Sequence, residues 1–327
     1  MYRLNKLWKP EVYQGLHKRG PYFEGWYFKN TGKDGSCCWS FIPGISLTKN
    51  YVDNHCFIQA IDGITGDSWY ITYPINEFKA STDKLEIRIG DSVFSREGID
   101  LNIKKDSFEC RGSLKYSNII NYPKRLLAPG IMGWYSFVPF MECYHGIVSI
   151  NHQVKGSLTI NNHLQDFNGG KGYIEKDWGK SFPSSWIWMQ SNNFHNEEAS
   201  LMVSIAKIPW MAHSFVGFLS FIYVDNQLYS FATYNGGRVS EISYIDDKIH
   251  IEIENKSYML HINGGYTEGG NLQAPTPKGM NRRIKESISS ILDVRLLEKG
   301  GRVIFSSTGL NSGMEVCGDI EELIPKK

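Results

Sequence analysis

Val148-Ser149-Ile150-Asn151-His152-Gln153-Val154-Lys155-Gly156-Ser157-Leu158-Thr159-Ile160 alternates apolar and polar residues. Val148, Ile150, His152, Val154, Leu158 and Ile160 fall on one side, and Ser149, Asn151, Gln153, Lys155, Ser157 and Thr159 on the other. Successive side chains of a strand point to opposite faces, so this period of two predicts one buried and one wet face. The same pattern runs outward through Lys84-Leu85-Glu86-Ile87-Arg88-Ile89, through Ile99, Leu101 and Ile103, and through Phe108, Cys110, Leu114 and Tyr116. Turn signals separate the runs: Asp62-Gly63, Gly90-Asp91, Asp225-Asn226, Asn263-Gly264-Gly265 and Lys299-Gly300-Gly301. Many short strands with regular turns predict an all-β chain of antiparallel barrels or sandwiches. Helical periodicity is scarce, and segment 278–292 is the best candidate for a helix or turn.

A diverged internal repeat divides the chain. One copy runs 57–62, 68–73 and 83–87; the other runs 218–223, 227–234 and 247–251. An aromatic motif precedes each: Glu24-Gly25-Trp26-Tyr27-Phe28 and Trp186-Ile187-Trp188-Met189-Gln190. The repeat predicts two similar β-domains of about 160 residues each. The glycine-rich step Phe167-Asn168-Gly169-Gly170 places their boundary, giving domains 1–167 and 168–327. Segment 118–146, rich in Pro, Gly and aromatics, reads as a long loop over the mouth of the first domain, either a lid or a packed connection.

Composition excludes several classes. The 327 residues carry a formal net charge of +1 with Lys and Arg dispersed, so nucleic acid is not expected as a partner. No apolar run of about 18 residues predicts a transmembrane span. The N-terminal Met1–Pro10 stretch lacks the apolar core of a signal peptide, and a cytoplasmic location is expected. Six cysteines without C-x-x-C spacing read as reduced, packed thiols. Trp178-Gly179-Lys180-Ser181 ends like a phosphate-binding loop, but Ile174 stands where that loop needs glycine. Neither G-x-S-x-G nor H-E-x-x-H is present. His145 and His152 lack metal-ligand spacing and no acidic or cysteine cluster joins them in sequence, so no metal is expected.

Residues 170–194 concentrate the remaining chemistry. Trp178, Trp186 and Trp188 lie near Glu175 and Asp177, with Gln190, Asn192 and Asn193 following. Phe23-Glu24-Gly25-Trp26-Tyr27-Phe28-Lys29 is a smaller version. A carboxylic acid against tryptophan is desolvated, which raises its pKa and suits a general acid. Tryptophan faces stabilise a nearby cation by roughly 0.5–2 kcal/mol. Trp186, Trp188, Gln190 and Asn192 share one strand face, an apolar wall ending in amides that suits an amphiphilic ligand. His152 sits on the apolar side of its strand, as a core histidine or a cavity-lining donor.

Two stretches carry a family resemblance: Phe23–Phe28, and Gly172 through Asn192, with its Lys-Asp-Trp-Gly, Phe-Pro and Trp-x-Trp-x-Gln-x-Asn elements. Ala274-Pro275-Thr276 is a further match. The chain resembles the tocopherol cyclase family, itself similar to lipocalin-like proteins of two β-barrel domains. The resemblance implies an intramolecular cyclase that adds a phenol across a prenyl double bond, forming a chromanol without redox cofactor or metal. Its ligand would be a hydrophobic prenylated hydroquinone or related isoprenoid. Residue chemistry then offers Glu24, Glu175 or Asp177 as proton donor. Trp26, Trp178, Trp186 and Trp188 would shelter the cation, and Tyr27, Gln190 and Asn192 would orient the phenol. Unlike the plant members, the chain shows no transit peptide, and its Asn-, Lys- and Ile-rich composition suggests a bacterial source. A carrier that binds such a ligand without turnover, and a β-protein whose aromatics are simply core, are the competing readings.

Overall fold

A computed structural model describes residues 6–105, 107–195, 198–210, 213–245, 248–265, 267 and 269–325. Asp247 of the second repeat copy and residues 1–5 lie outside the described residues. Among those described, the chain is all-β with short 3-10 turns. No helix among them is long and apolar enough to cross a membrane.

The first sheet holds twelve strands. They are β1 (Tyr22–Thr31), β2 (Cys38–Leu47), β3 (His55–Asp62), β4 (Ser68–Pro74), β5 (Phe78–Ala80), β6 (Glu86–Ile89), β7 (Ser92–Ser95), β8 (Gly98–Lys105), β9 (Phe108–Ile120), β10 (Cys143–Ile160), β11 (His163–Asp166) and β12 (Gly170–Gly179). Their order is β4-β3-β2-β1-β12-β10-β9-β8-β7-β6-β5, with β11 paired to β10. The sheet is open, but Ile58 and Ile71 from one end meet Ile87 and Phe94 from the other in a single core. The ten strands of the second sheet are β13 (Trp186–Ser191), β14 (Ser200–Trp210), β15 (His213–Val224), β16 (Gln227–Ala232), β17 (Arg238–Ile245), β18 (Lys248–Glu254), β19 (Tyr258–Gly265), β20 (Gly270–Thr276), β21 (Gly279–Glu298) and β22 (Val303–Cys317). They run β16-β15-β14-β13-β22-β21-β19-β18-β17, with β20 against β21. Both sheets are antiparallel and sandwich-like rather than closed barrels.

The two sheets share a topology. In each, four strands leading in from an edge end on a strand paired with the last strand of the sheet, β1 with β12 and β13 with β22. The repeated segments 57–62/68–73 and 218–223/227–234 form the corresponding edge hairpins, and the aromatic motifs form β1 and β13. The third pair of segments does not correspond: 83–87 leads into β6, whereas β18 takes the sheet position of β8.

The compact units divide differently from the glycine-step boundary. Unit 1 is Met1–Phe182 with Asn271–Arg283, and unit 2 is Pro183–Gly270 with Ile284–Lys327. The boundary moves beyond Gly170 because β12 is a central strand of the first sheet, lying between β1 and β10. The insertion 271–283 contains Ala274-Pro275-Thr276, and its backbone is gripped within unit 1. The Gln59 amide donates to Gln273 O (3.1 Å) and accepts from Gln273 N (2.8 Å). Phe182 N donates to Pro275 O at 3.2 Å.

Two further expectations are corrected. Segment 278–292 lies almost wholly in strand β21, not in a helix. Its apolar residues Ile284, Ile288 and Leu292 recur every four positions, a spacing that keeps one strand face as well as it keeps one helix face. Ser149 and Asn151 are buried rather than wet. The middle of β10 is covered on both faces, where its register with β12 is irregular, and Ser149 pairs opposite core residue Ile174.

A buried ion pair fixes the middle of the first sheet. Lys176 Nζ lies 2.5 Å from Glu24 Oε1, both side chains fully buried. The ammonium also donates to Pro10 O (2.8 Å) and Val12 O (2.6 Å), using all three protons. Glu24 accepts from the Tyr22 hydroxyl (2.5 Å) and Gln14 N (2.8 Å). The Trp26 and Trp178 rings each lie 4.7 Å from the ammonium. Burial lowers the lysine pKa, and the Glu24 charge opposes that shift. Removing one partner of such a pair strands the other charge. Lys176→Met is expected to cost about 3–5 kcal/mol in urea unfolding followed by tryptophan fluorescence, and adding Glu24→Gln is expected to recover much of the loss.

Candidate active site

Strands β1, β12 and β10 lie side by side, and their register sorts the chemistry by face. Gly25 pairs with Asp177 and Asp177 with His145; Tyr27 pairs with Glu175 and Glu175 with Ile147. Trp26, Phe28 and Ile174 belong to the core, so residues of the other parity occupy the opposite face. Tyr27, Tyr173, Glu175, Asp177 and His145 therefore share that face. Glu24, Trp26, Lys176 and Trp178 take the core-facing side.

On the face away from the core, four side chains form a polar array, and a fifth, Cys143, borders it. His145 Nδ1 lies 2.9 Å from Asp177 Oδ1, and Nε2 lies 3.6 Å from Glu175 Oε2. The Tyr173 hydroxyl donates to Glu175 Oε2 at 2.6 Å, and Cys143 Sγ donates to Asp177 Oδ1 at 3.7 Å. Glu175 and Tyr173 are buried, while Asp177 keeps 25% of its side-chain surface. Burial alone would lower the imidazole pKa, but Asp177 and then Glu175 outweigh it and raise His145 from 6.5 to about 9. Near neutral pH the ring is thus an imidazolium between two carboxylates. The Tyr173 hydroxyl is pushed well above its ordinary pKa by burial and by Glu175. It stays a donor.

This cluster corrects the expectation that no acidic group joins His145. Glu175 and Asp177 are 30 and 32 positions away in sequence, and only the β10–β12 register brings them together. Donor atoms of His145, Glu175 and Asp177 all lie within 4.8 Å of one another, a composition able to take a divalent cation. The two carboxylates, however, address opposite nitrogens of one ring. Only the Asp177 contact is a hydrogen bond; Nε2 is within ion-pair distance of Glu175 but has no hydrogen-bond partner among the described residues.

The other candidates separate. Glu24 is committed to Lys176, and the same ammonium sits on the Trp26 and Trp178 rings. Those two rings thus already hold an internal cation. Trp178 also stacks on Tyr144, with ring centroids 5.6 Å apart. In unit 2, Trp186, Trp188 and Gln190 share the face of β13 opposite core residues Ile187 and Met189. Trp186 Nε1 donates to Glu315 Oε2 at 2.5 Å, and Gln190 Nε2 to Asn192 Oδ1 at 3.3 Å. Sequence reasoning missed Glu315 and Glu286, buried residues paired across β21 and β22. It also missed Tyr173 and the role of His145. The available signal was Glu175 and Asp177 two apart on one strand, which places both acids on one face.

His152 faces the core. Ser149 Oγ donates to Asn151 O (3.1 Å), so at 2.8 Å it accepts from His152 Nδ1. Nε2 then carries the lone pair and has no hydrogen-bond partner among the described residues. Burial drives the ring pKa down to about 3, which keeps it neutral. The ring packs on Tyr116 (centroids 4.2 Å apart) and against Gly172, where an added Cβ would lie 2.1 Å from Nε2.

Two outcomes follow. A folded His145 pKa above 6.5 contributes stability that is complete below pH 6.5 and is lost as pH rises through about 9. The urea midpoint should fall across that window, and His145→Gln should lower the midpoint at pH 6.5 while flattening the slope. Gly172→Ala should cost about 1–3 kcal/mol in thermal melts by overpacking His152, and His152→Ala in the same chain should return most of it.

Comparison with known proteins agrees with this architecture. The solved structure of CghA superposes with a TM-score of 0.61 at 10% identity, covering 91% of this chain and 89% of CghA. A protein described as an AttH of Nitrosomonas europaea gives 0.52 at 11% identity, covering 94% and 98%. At these identities the likeness is one of fold. The chloroplastic tocopherol cyclase of Zea mays is 26% identical over 201 residues, 57% of this chain and 41% of the maize protein. A probable tocopherol cyclase of Oryza sativa subsp. japonica is also 26% identical, over 57% of this chain and 42% of the rice protein. The matched region thus spans less than half the length of these relatives. The profile of the tocopherol cyclase-like family covers residues 100–318, and the chain belongs to that family.

Proposed function

We propose that this chain is an enzyme that closes a ring on a prenylated hydroquinone or related isoprenoid, adding a phenol across an alkene to give a chromanol. The observation that carries the reading is the array Asp177–His145–Glu175–Tyr173 on one face of β10 and β12. It holds a proton on His145 near neutral pH and a carboxylate, Glu175, 3.6 Å away.

An imidazolium is too weak an acid to leave a free tertiary cation behind. It suits a concerted addition, in which the phenol oxygen bonds one alkene carbon as the other receives the proton. His145 gives its proton to the less substituted carbon, the C–O bond forms at the more substituted one, and the phenol proton passes to Glu175. Transfer from Glu175 back to His145 restores the resting state, and no atom is gained or lost. Asp177 holds the ring and stabilises its charge; the Tyr173 hydroxyl steadies the Glu175 oxygen nearest the ring. The Glu175 carboxylate and the Tyr27 face supply negative potential where positive charge grows on the prenyl carbon.

The test is incubation of purified protein with a panel of prenylated hydroquinones in detergent micelles, with mass-spectrometric detection of an isobaric chromanol. Turnover is expected, with His145→Gln and Glu175→Gln each reducing it by about 10²-fold or more. The surface variant Lys104→Ala should retain activity, and EDTA should leave it unchanged. Binding without isomerisation across the panel would make the chain a carrier; unchanged turnover in both variants would remove the array from the mechanism.

A further inference from the structure

The connection from β9 to β10, residues 121–142, exposes more apolar surface than its place in the sheet requires. Arg125 and Ala128 exchange backbone hydrogen bonds (2.8 and 3.1 Å), which puts Leu126 and Leu127 at the tip of a tight hairpin. Those leucines are 79% and 75% exposed. Farther on, Trp134 is 50% and Phe140 86% exposed. Phe140 has a φ of +65°, a left-handed conformation rare for a bulky side chain. Trp8 joins the parts: its Nε1 donates to Arg125 O at 3.1 Å while its ring packs on Phe137 at 5.6 Å. The hairpin and the 133–137 turn therefore lie side by side. Clustered large apolar side chains in water mark a contact surface.

The charges identify what is contacted. Lys124 and Arg125, both exposed, immediately precede the two leucines. Lys124 is ion-paired with both Glu11 carboxylate oxygens (3.1 and 2.9 Å), whereas Arg125 has no ion-pair partner among the described residues. Apolar tips with a cation at their base and a half-exposed tryptophan beside them match the layering of a bilayer surface, with acyl chains beneath anionic head groups. The opposite side of the same connection reaches the polar array. Met132 is buried and its sulfur accepts from His145 N at 3.2 Å, and the Tyr144 hydroxyl donates to Val138 O at 2.8 Å.

We infer that residues 121–142 dock this protein on a lipid bilayer surface through Leu126, Leu127 and Phe140, with Arg125 against anionic head groups. Docking stands on the exposed tips alone. Its use, presenting a membrane-dissolved substrate beside His145, rests on the cyclase reading.

The experiment is co-sedimentation of the full chain with vesicles of phosphatidylcholine mixed with phosphatidylglycerol, and with vesicles of phosphatidylcholine alone. The protein should sediment with the mixed vesicles, more weakly with the neutral ones, and less as salt rises. Leu126→Ser/Leu127→Ser and, separately, Phe140→Ser should each weaken partitioning by about tenfold or more while the far-UV spectrum and melting temperature hold. His145→Gln should partition as wild type, which separates docking from turnover. Absence of vesicle binding by the wild-type chain, or binding unchanged in both tip variants, overturns the inference. A dimer in solution that the leucine variants dissolve, without vesicle binding, also overturns it and assigns the patch to a second copy of the chain.

Discussion

The Glu24–Lys176 pair is the constraint on which the rest of the first unit depends. Two full charges without water are tolerated only because every proton and lone pair nearby has a use. The ammonium meets one carboxylate and two carbonyls, and the carboxylate meets a phenol and a backbone amide. Those carbonyls and that amide belong to Pro10, Val12 and Gln14, so the pair also ties the N-terminal segment to β1 and β12. Trp26 adds to the same tie by donating to Glu11 O at 2.9 Å.

The pair has a second effect through strand parity. With Lys176 committed to the core side of β12, its neighbours Glu175 and Asp177 must face the other way. There they meet His145, which β10 places opposite Asp177. One strand thus carries two electrostatic systems of opposite design. On the core side a cation and an anion neutralise each other. On the other side one imidazolium answers two carboxylates, so the balance is negative and a proton is held firmly. The first system is suited to rigidity; the second keeps a proton at a place where Asp177 is still partly open to solvent.

Much of the architecture was legible along the chain. Alternation gave the strands, and the aromatic motifs with their following hairpins gave two sheets of like topology, because period two and turn chemistry are local properties. Legibility failed where both faces of a strand are covered. Tyr22–Thr31 is buried along nearly its whole length, so no alternation marks it, and the covered middle of β10 hides Ser149 and Asn151 in the same way. The isoleucine spacing in β21 fits helix and strand alike. The glycine step at 167–170 is a real turn, but a turn into a central strand rather than out of a domain.

The candidate site divides along the same line. Sequence by itself determined which residue types gather: acids beside aromatics at two points, two apart on β12, in a chain of family-typical motifs. The spacing of Glu175 and Asp177, i and i+2 on a strand, also carried the signal that they share a face, although sequence reasoning offered the two acids only as alternatives. Only the tertiary structure decided which acid is neutralised and which is not. Glu24, the most tempting acid beside a tryptophan, is answered by Lys176 from the neighbouring strand, whereas Glu175 and Asp177 receive an imidazole from 30 residues upstream. Cross-strand register sets those partnerships, and register depends on bulges and pairings between distant segments that no local pattern encodes.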